Sequence, residues 1–392
     1  MIESYANAFR DLNKTFQSHR ITAIDFIRGI AIILMALDHA STYWNKGRIF
    51  GEGIIFLPYY PSNPDLLQFL VRFVTHYCAP IFIFLAGTSI ALSESRKLKR
   101  GSSQTEITDY FTSRGFILLL IQWTVIAYMF RAKFLYFGVL ACIGFSIIIL
   151  AHARRLTTRI LTILSVSLIL ISPLFFYLSL NGLFDFFPYF LRVGLFFPEW
   201  PYGLYPLSPW LGVMGLGYVF GRWLIKQQEY QDATKRIIKN SMIIGSLSIC
   251  LFFILRISNA WLFNYIVLSE LEGGLTLTNF FLLSKYPPSF TFLLWTLGCM
   301  FLALALVFYV QEFLWFKKVT FPVILFGTAP LFFYSTHLIL YGALPYLLNL
   351  EKAFSLTITI IVWVIGLIVL FPLCIIFLEV KRRNPNSIIK YI

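Results

Sequence analysis

Apolar residues occur along this chain in runs that are separated by short polar or aromatic segments. A helix needs about 20 apolar residues to cross roughly 30 Å of hydrocarbon. Runs of this kind lie at 24–44, 67–92, 110–130, 134–151, 157–180, 206–225, 238–258, 288–310, 321–344 and 354–379. The pattern therefore predicts an all-α, polytopic integral membrane protein with about ten transmembrane helices.

Composition agrees with this class, and charge adds an orientation. The chain has 392 residues, of which 58% are hydrophobic and 13% charged, and its net charge is +14. The segments that would be cytoplasmic with the N-terminus inside hold most of the Lys and Arg residues, as the positive-inside rule expects. Both termini are therefore predicted to be cytoplasmic. The basic residues form no single stripe, so binding of nucleic acid is not predicted.

The chain reads as one domain with short ends. We predict a cytoplasmic N-terminal arm at 1–20, a single transmembrane domain at 21–380 and a cytoplasmic tail at 381–392. The arm is polar and carries no signal-peptide pattern, which fits the inner membrane of a bacterium and leaves a eukaryotic organelle open as the alternative. The five cysteines lie inside apolar runs without paired spacing, so neither a disulfide nor a metal site is expected.

The first apolar segment, DFIRGIAIILMALDHASTYW, carries an acid, a guanidinium and an imidazole. Because a helix advances about 100° per residue, Arg28 and His39 differ by only about 20° in direction and by roughly 16 Å along the axis. Asp25 lies three residues before Arg28 on the same side. A charge near the centre of a membrane helix costs about 3 kcal/mol, so such groups usually mark function. A plain ion pair at the inner membrane edge is the alternative for Asp25 and Arg28.

Three histidines, His39, His76 and His337, are predicted to lie in the outer half of the membrane. A neutral imidazole can take up and return a proton near neutral pH, which makes it a suitable general base. A single buried histidine can equally be a packing residue that donates to a backbone carbonyl. His39 is the strongest candidate, because it shares a face with Arg28 and follows Asp38.

Glycine and proline add packing predictions. Gly217 and Gly221 lie four residues apart in WLGVMGLGYVFGRW, a spacing that favours close contact between helices. Kinks or helix ends are indicated by four prolines inside apolar segments, Pro80, Pro322, Pro330 and Pro372.

The first segment resembles membrane acyltransferases. Arg28, ten further residues and His39, within D-x-x-R-G-x-A, match the motif of the acyltransferase-3 group. The whole segment DFIRGIAIILMALDHAS resembles bacterial members of the heparan-alpha-glucosaminide N-acetyltransferase-like family more than it resembles the acyltransferase-3 group. Further segments agree with that family in the same order: THYCAPIFIFLAGTSIALS, YPLSPWLGVMGLGYVFGR, KYPPSFTFLLWTLG and FGTAPLFFYSTHLILY.

This resemblance implies an enzyme that moves an acyl group, commonly acetyl from cytosolic acetyl-CoA or another acyl-CoA, to a hydroxyl or amine of a glycan or related acceptor, without a metal. His39, with Asp38 beside it, becomes the catalytic base or an acyl carrier. Arg28, held by Asp25, orients the donor. The implied partners are the acyl-CoA, a saccharide or other small acceptor and membrane lipid, and the oligomeric state stays open, with a homodimer among the alternatives.

The resemblance suggests further positions. Arg96 and Arg100, after the second segment, would meet the phosphates of CoA, unless they serve only as positive-inside charge. His337 and Trp210 would line the substrate pocket.

Two alternatives stay open at this point. The lysosomal branch of the family is expected to have asparagine at the position of His39 and its working histidine in the following loop, whereas residues 40–75 contain no histidine here. Either His39 or His76 is then catalytic. A different class, a proton-coupled transporter that uses the three histidines as a relay, also fits intramembrane histidines.

Overall fold

The computed structural model of the protein describes residues 21–49, 53–313, 316 and 319–391, and the predicted N-terminal arm at 1–20 lies outside them. The described residues form helices and loops, with isolated β-bridges only. The main helices are α1 (Thr22–Trp44), α2 (Leu66–Thr75), α3 (Cys78–Lys99), α4 (Gln104–Ile121), α5 (Val139–Ala153), α6 (Thr158–Leu180), α7 (Tyr189–Leu195), α8 (Leu207–Gln227), α9 (Ala233–Ile257), α10 (Phe290–Val310), α11 (Phe321–Thr328), α12 (Pro330–Leu347) and α13 (Leu356–Arg383).

The all-α prediction is confirmed, and every predicted apolar segment overlaps a helix. By length and hydropathy, 6 helical stretches are suited to cross a membrane, and the count reaches 7 if α11 and α12 together form one broken span. The structure thus supports a polytopic membrane protein, while the number of ten crossings and the orientation stay predictions.

Helices occupy most of the polar stretch at 94–109. α3 continues to Lys99, and α4 begins directly after Ser103. The Ser103 hydroxyl accepts from the backbone N–H of Glu106, and the Glu106 carboxylate accepts from the backbone N–H of Ser103. This capping box satisfies two N–H groups that a helix start leaves unpaired, so a polar sequence still forms helix here.

The described residues divide into two compact units. The first contains Met1–Gly47 and Leu302–Ile392, and the second contains Arg48–Phe301. The first unit is therefore built from the two ends of the chain. The predicted single domain at 21–380 and tail at 381–392 stay predictions.

In the second unit, α3 and α8 pack with their backbones nearly in contact. A Cβ atom on Gly217 would lie 1.9 Å from the carbonyl oxygen of Phe84, and one on Gly87 would lie 2.0 Å from that of Met214. A Cβ on Gly221 would lie 2.7 Å from the Cβ of Ala91. The packing role predicted for Gly217 and Gly221 is confirmed.

A buried arginine joins the ends of three helices in the same unit. Arg154, at the end of α5, donates to the Glu94 carboxylate at 2.6 Å, to the backbone carbonyl of Gln104 at 2.7 Å and to the Thr108 hydroxyl at 2.9 Å. The Tyr218 hydroxyl donates to the other oxygen of Glu94. This network fixes the ends of α3 and α4 on either side of the turn that carries Arg100.

A second buried arginine organises the loops that follow α9. The side chain of Arg256 is fully buried and donates to the backbone carbonyls of Ile266 at 2.7 Å and of Phe280 at 2.8 Å. It also donates to the carbonyls of Asn279 at 2.8 Å and Leu282 at 3.1 Å. One guanidinium thus donates to four carbonyls, two in the short helix Leu277–Phe280 and two in irregular backbone, where an unpaired carbonyl would be costly inside a membrane protein.

In the first unit, α1 packs against α11, α12 and α13. The crossing with α11 is very close, because a Cβ on Gly29 would lie 1.9 Å from the carbonyl oxygen of Val323. α13 contributes Trp363, whose indole N–H donates to the carbonyl of Ile33 at 3.1 Å. These contacts place the polar face of α1 against the C-terminal helices.

Candidate functional site

The charged pair predicted on α1 is present. Arg28 Nη1 donates to Asp25 Oδ1 at 2.8 Å and to the carbonyl oxygen of Gly327 at 3.0 Å. Asp25 is buried, with 7% of its surface exposed. The guanidinium is therefore held from one side by its own helix and from the other by α11.

The carbonyl that meets Arg28 belongs to the end of α11, where the chain bends into α12. α11 ends at Thr328, α12 begins at Pro330, and the two helices differ in direction by 97°. The last carbonyls of a helix have no partner within it and carry partial negative charge. The break predicted at Pro330 is confirmed, and it supplies an acceptor for the Arg28 guanidinium. No helix end occurs at Pro372, which lies inside the continuous helix α13.

The imidazole of the same helix face forms a pair with a second histidine. Nδ1 of His39 lies 2.7 Å from Nε2 of His337, and the two rings are stacked with centroids 5.0 Å apart. His337 is fully buried, and its Nδ1 lies 2.8 Å from the carbonyl oxygen of Phe333. His39 is half-buried. Of the three predicted histidines, the structure joins these two directly.

His76 lies in the second unit, at the short break between α2 and α3. Its Nε2 is 3.5 Å from Nη2 of Arg72, and both side chains are buried. The surrounding pocket is mainly aromatic, with Phe73, Tyr77, Phe281, Phe292 and Trp295 in its lining. The structure thus places His76 beside a guanidinium and aromatic rings, apart from the His39 and His337 pair, and its catalytic role stays a prediction.

The other predicted site residues have different settings. Arg96 and Arg100 are exposed at the end of α3. Asp38 is half-buried in α1, about 100° around the helix from His39. Trp210 is fully buried in α8, with its ring centroid 5.7 Å from that of Tyr205. Their roles in catalysis, donor binding and substrate binding stay predictions.

Two elements of the site could not be found from sequence patterns. The Gly327 carbonyl has no side-chain signal, and its role depends on α11 meeting α1 at a position 299 residues away. The bond between His39 and His337 joins positions 298 apart. The glycine and the proline within FGTAP are a sequence signal for the contact between Arg28 and Gly327, but they can be interpreted in this way only once the structure is known.

The approach of α11 to α1 leads to a test by substitution. A Cβ on Gly327 would lie 1.9 Å from the carbonyl oxygen of Asp25, so Gly327→Ala should force the two backbones apart. We expect destabilisation by about 1–3 kcal/mol, as for other overpacked sites, measured as a lower Tm of the purified protein. Ile365→Ala, at a position with 55% exposure on α13, is the control. An unchanged Tm for Gly327→Ala would contradict the close crossing.

The fold and this site define an α-helical membrane protein whose first apolar helix carries an ion pair and one member of a histidine pair. The model of the heparan-alpha-glucosaminide N-acetyltransferase catalytic region matches residues 20–257, more than half of the chain, and the protein belongs to this family. A comparison with curated proteins finds no match. The matched region includes Asp25, Arg28, His39 and His76, whereas His337 lies beyond it.

Proposed function

We propose that the protein is a membrane-embedded acyltransferase that moves an acyl group, acetyl in the simplest case, from cytosolic acyl-CoA to a hydroxyl or amine of a saccharide acceptor. Membership of an acetyltransferase family supports the reaction class. The observation that carries the proposal is the face of α1, on which a held guanidinium and a paired imidazole are combined. Nothing in the family assignment supports the transporter alternative.

The residues have separate roles in this proposal. Arg28 orients the donor through the planar fork of donors of its guanidinium, and Asp25 with the Gly327 carbonyl fixes that group. His39 acts as general base. With ten crossings and both termini in the cytosol, Arg28 lies at the cytosolic side of the membrane and His39 in the outer half. We place the protein in the inner membrane of a bacterium.

The reaction balances without a further reactant. Nε2 of His39 takes the proton from the acceptor hydroxyl or amine while the acceptor oxygen or nitrogen attacks the thioester carbon. The bond from that carbon to sulfur then breaks, and the CoA thiolate receives the proton from His39. The products are the acylated acceptor and CoA, and His39 returns to its neutral state. Direct transfer of this kind needs one chemical intermediate fewer than an acyl-histidine route.

The activity is tested with purified protein in proteoliposomes. Labelled acetyl-CoA is supplied with a panel of amino sugars and oligosaccharides, and both acetylated product and released CoA are measured. We expect equal amounts of the two for at least one acceptor. Solute uptake driven by a pH gradient, with no CoA binding by calorimetry, would instead support the transporter.

The role of Arg28 has its own expected result. Arg28→Lys keeps the charge but loses the planar fork of donors, so KM for acetyl-CoA should rise by about tenfold, as for the loss of one charge-assisted hydrogen bond. With S-acetyl-pantetheine, which lacks the nucleotide and its phosphates, wild type and variant should differ little. Equal effects on both donors would show that Arg28 does not act on the phosphates. Arg236→Lys, an exposed residue of α9, is the matched control.

A further inference from the structure

The arrangement of ring nitrogens around His337 determines which nitrogen of His39 carries a proton. A carbonyl oxygen only accepts hydrogen bonds, so Nδ1 of His337, 2.8 Å from the Phe333 carbonyl, is the protonated nitrogen. Burying an uncompensated charge is costly, and His337 is fully buried, which favours the neutral ring. A neutral ring protonated at Nδ1 has its lone pair at Nε2.

The lone pair on Nε2 of His337 in turn determines which ring nitrogen of His39 carries a proton. Nε2 of His337 lies 2.7 Å from Nδ1 of His39, and one proton lies between two nitrogens at this distance. Since His337 accepts, Nδ1 of His39 donates. A neutral His39 then carries its lone pair at Nε2, the nitrogen on the opposite side of the ring from His337.

We propose that His337 is a positioning residue, which holds the half-buried His39 in the tautomer whose Nε2 is the base. This proposal rests on the acyltransferase function given above and deepens it, because it names the residue that prepares the base. Two hydrogen bonds in series hold His39: the Phe333 carbonyl of α12 accepts from His337, and His337 accepts from His39. When Nε2 of His39 takes the acceptor proton, its Nδ1–H still donates to the lone pair of His337, so the protonated ring stays oriented.

Two substitutions at position 337 separate positioning from packing. His337→Gln places an amide oxygen near the position of Nε2, where it can accept from His39. His337→Asn keeps an amide donor near Nδ1 for the Phe333 carbonyl but is too short to reach His39. Asn is one methylene smaller than Gln and leaves a larger cavity, so Tm is measured for both variants, and a loss caused only by packing should lower kcat and Tm together.

The kinetic result expected differs between the two variants. His337→Asn should lower kcat by about 10²-fold, within the range for a displaced general base, with KM for acetyl-CoA changed less than about twofold. His337→Gln should recover most of the lost kcat. Equal losses in both variants, or a loss that falls on KM alone, would contradict the positioning role.

A spectroscopic measurement keeps the test independent of activity. The ¹⁵N shifts of histidine-labelled protein in nanodiscs report which ring nitrogen is protonated, and His39 is assigned by its missing signals in His39→Ala. We expect His39 protonated at Nδ1 in wild type and a mixture of tautomers in His337→Asn. Wild-type His39 protonated at Nε2 would overturn the inference. If His39 has the expected tautomer but no acceptor is acylated, the proposed function fails while the positioning by His337 stands.

Discussion

His39→Ala should lower acyl transfer by about 10²- to 10⁴-fold, the range that a well-placed general base contributes. The alanine variant removes Nε2 of His39, the ring nitrogen that acts as base in the proposed function. His337 stays in place but is fully buried, whereas His39 is half-buried. The measurement is initial rate of acceptor acetylation at saturating acetyl-CoA. Binding of the donor by calorimetry should persist, since Arg28 and its two partners remain.

The rival histidine is the control for this result. His76→Ala changes a residue of the second unit whose Nε2 faces the Arg72 guanidinium. We expect less than about a tenfold loss from His76→Ala, since no general base is removed. Full activity in His39→Ala together with inactive His76→Ala would transfer the catalytic role to His76.

Arg256→Leu should produce the largest loss of stability among single substitutions in this chain. The leucine variant leaves the carbonyls of Ile266, Phe280 and Leu282 without their donor. The Asn279 carbonyl loses one of two donors, since it also accepts from the backbone N–H of Leu282 at 3.2 Å. Each orphaned buried acceptor costs about 1–3 kcal/mol, so the loss from the three carbonyls should exceed about 3 kcal/mol, beyond the usual range for single substitutions. The measurement is Tm of the protein in detergent, together with the yield of monodisperse protein.

Two further variants make that result interpretable. Arg256→Lys keeps the positive charge but has three donors where Arg256 makes five hydrogen bonds, four to carbonyls and one to Asn264 at 3.4 Å. We expect the Tm of Arg256→Lys to lie between that of the wild type and that of Arg256→Leu. Arg236→Leu removes an arginine of the same helix whose ion pair with Asp232 is about half exposed, and should cost at most about 1 kcal/mol. Equal stability of the Arg256 and Arg236 leucine variants would contradict the bonding described for Arg256.

The sequence predicted those parts of the site that depend on one helix. The direction of Asp25, Arg28 and His39 follows from the helical repeat alone, because all three belong to α1. The ion pair joins residues three apart and needs no knowledge of the fold. The glycine spacing of α8 likewise predicted close packing, since a small residue has few other reasons to recur at this spacing.

Contacts between distant segments could not be predicted in the same way. Hydropathy shows that α1 and α12 are apolar, but many helix pairings bury apolar faces equally well, so His39 and His337 gave no signal of their bond. Arg256 looks in the sequence like one more basic residue at the end of an apolar run. Its partners are backbone carbonyls of the segment that follows α9, and carbonyls carry no residue identity that a pattern could report.

The first unit is built from both ends of the chain, and this has a consequence for biosynthesis. Gly327 follows Arg28 by 299 positions, which at about 5–20 residues per second means about 15–60 s of translation between them. During that time α1 exists without its packing partners α11 and α12. The pair of Asp25 and Arg28 can form as soon as the helix does, so the emerging helix carries no uncompensated charge there. Messenger truncated before the codons for α11 would yield the charged pair but never the assembled site.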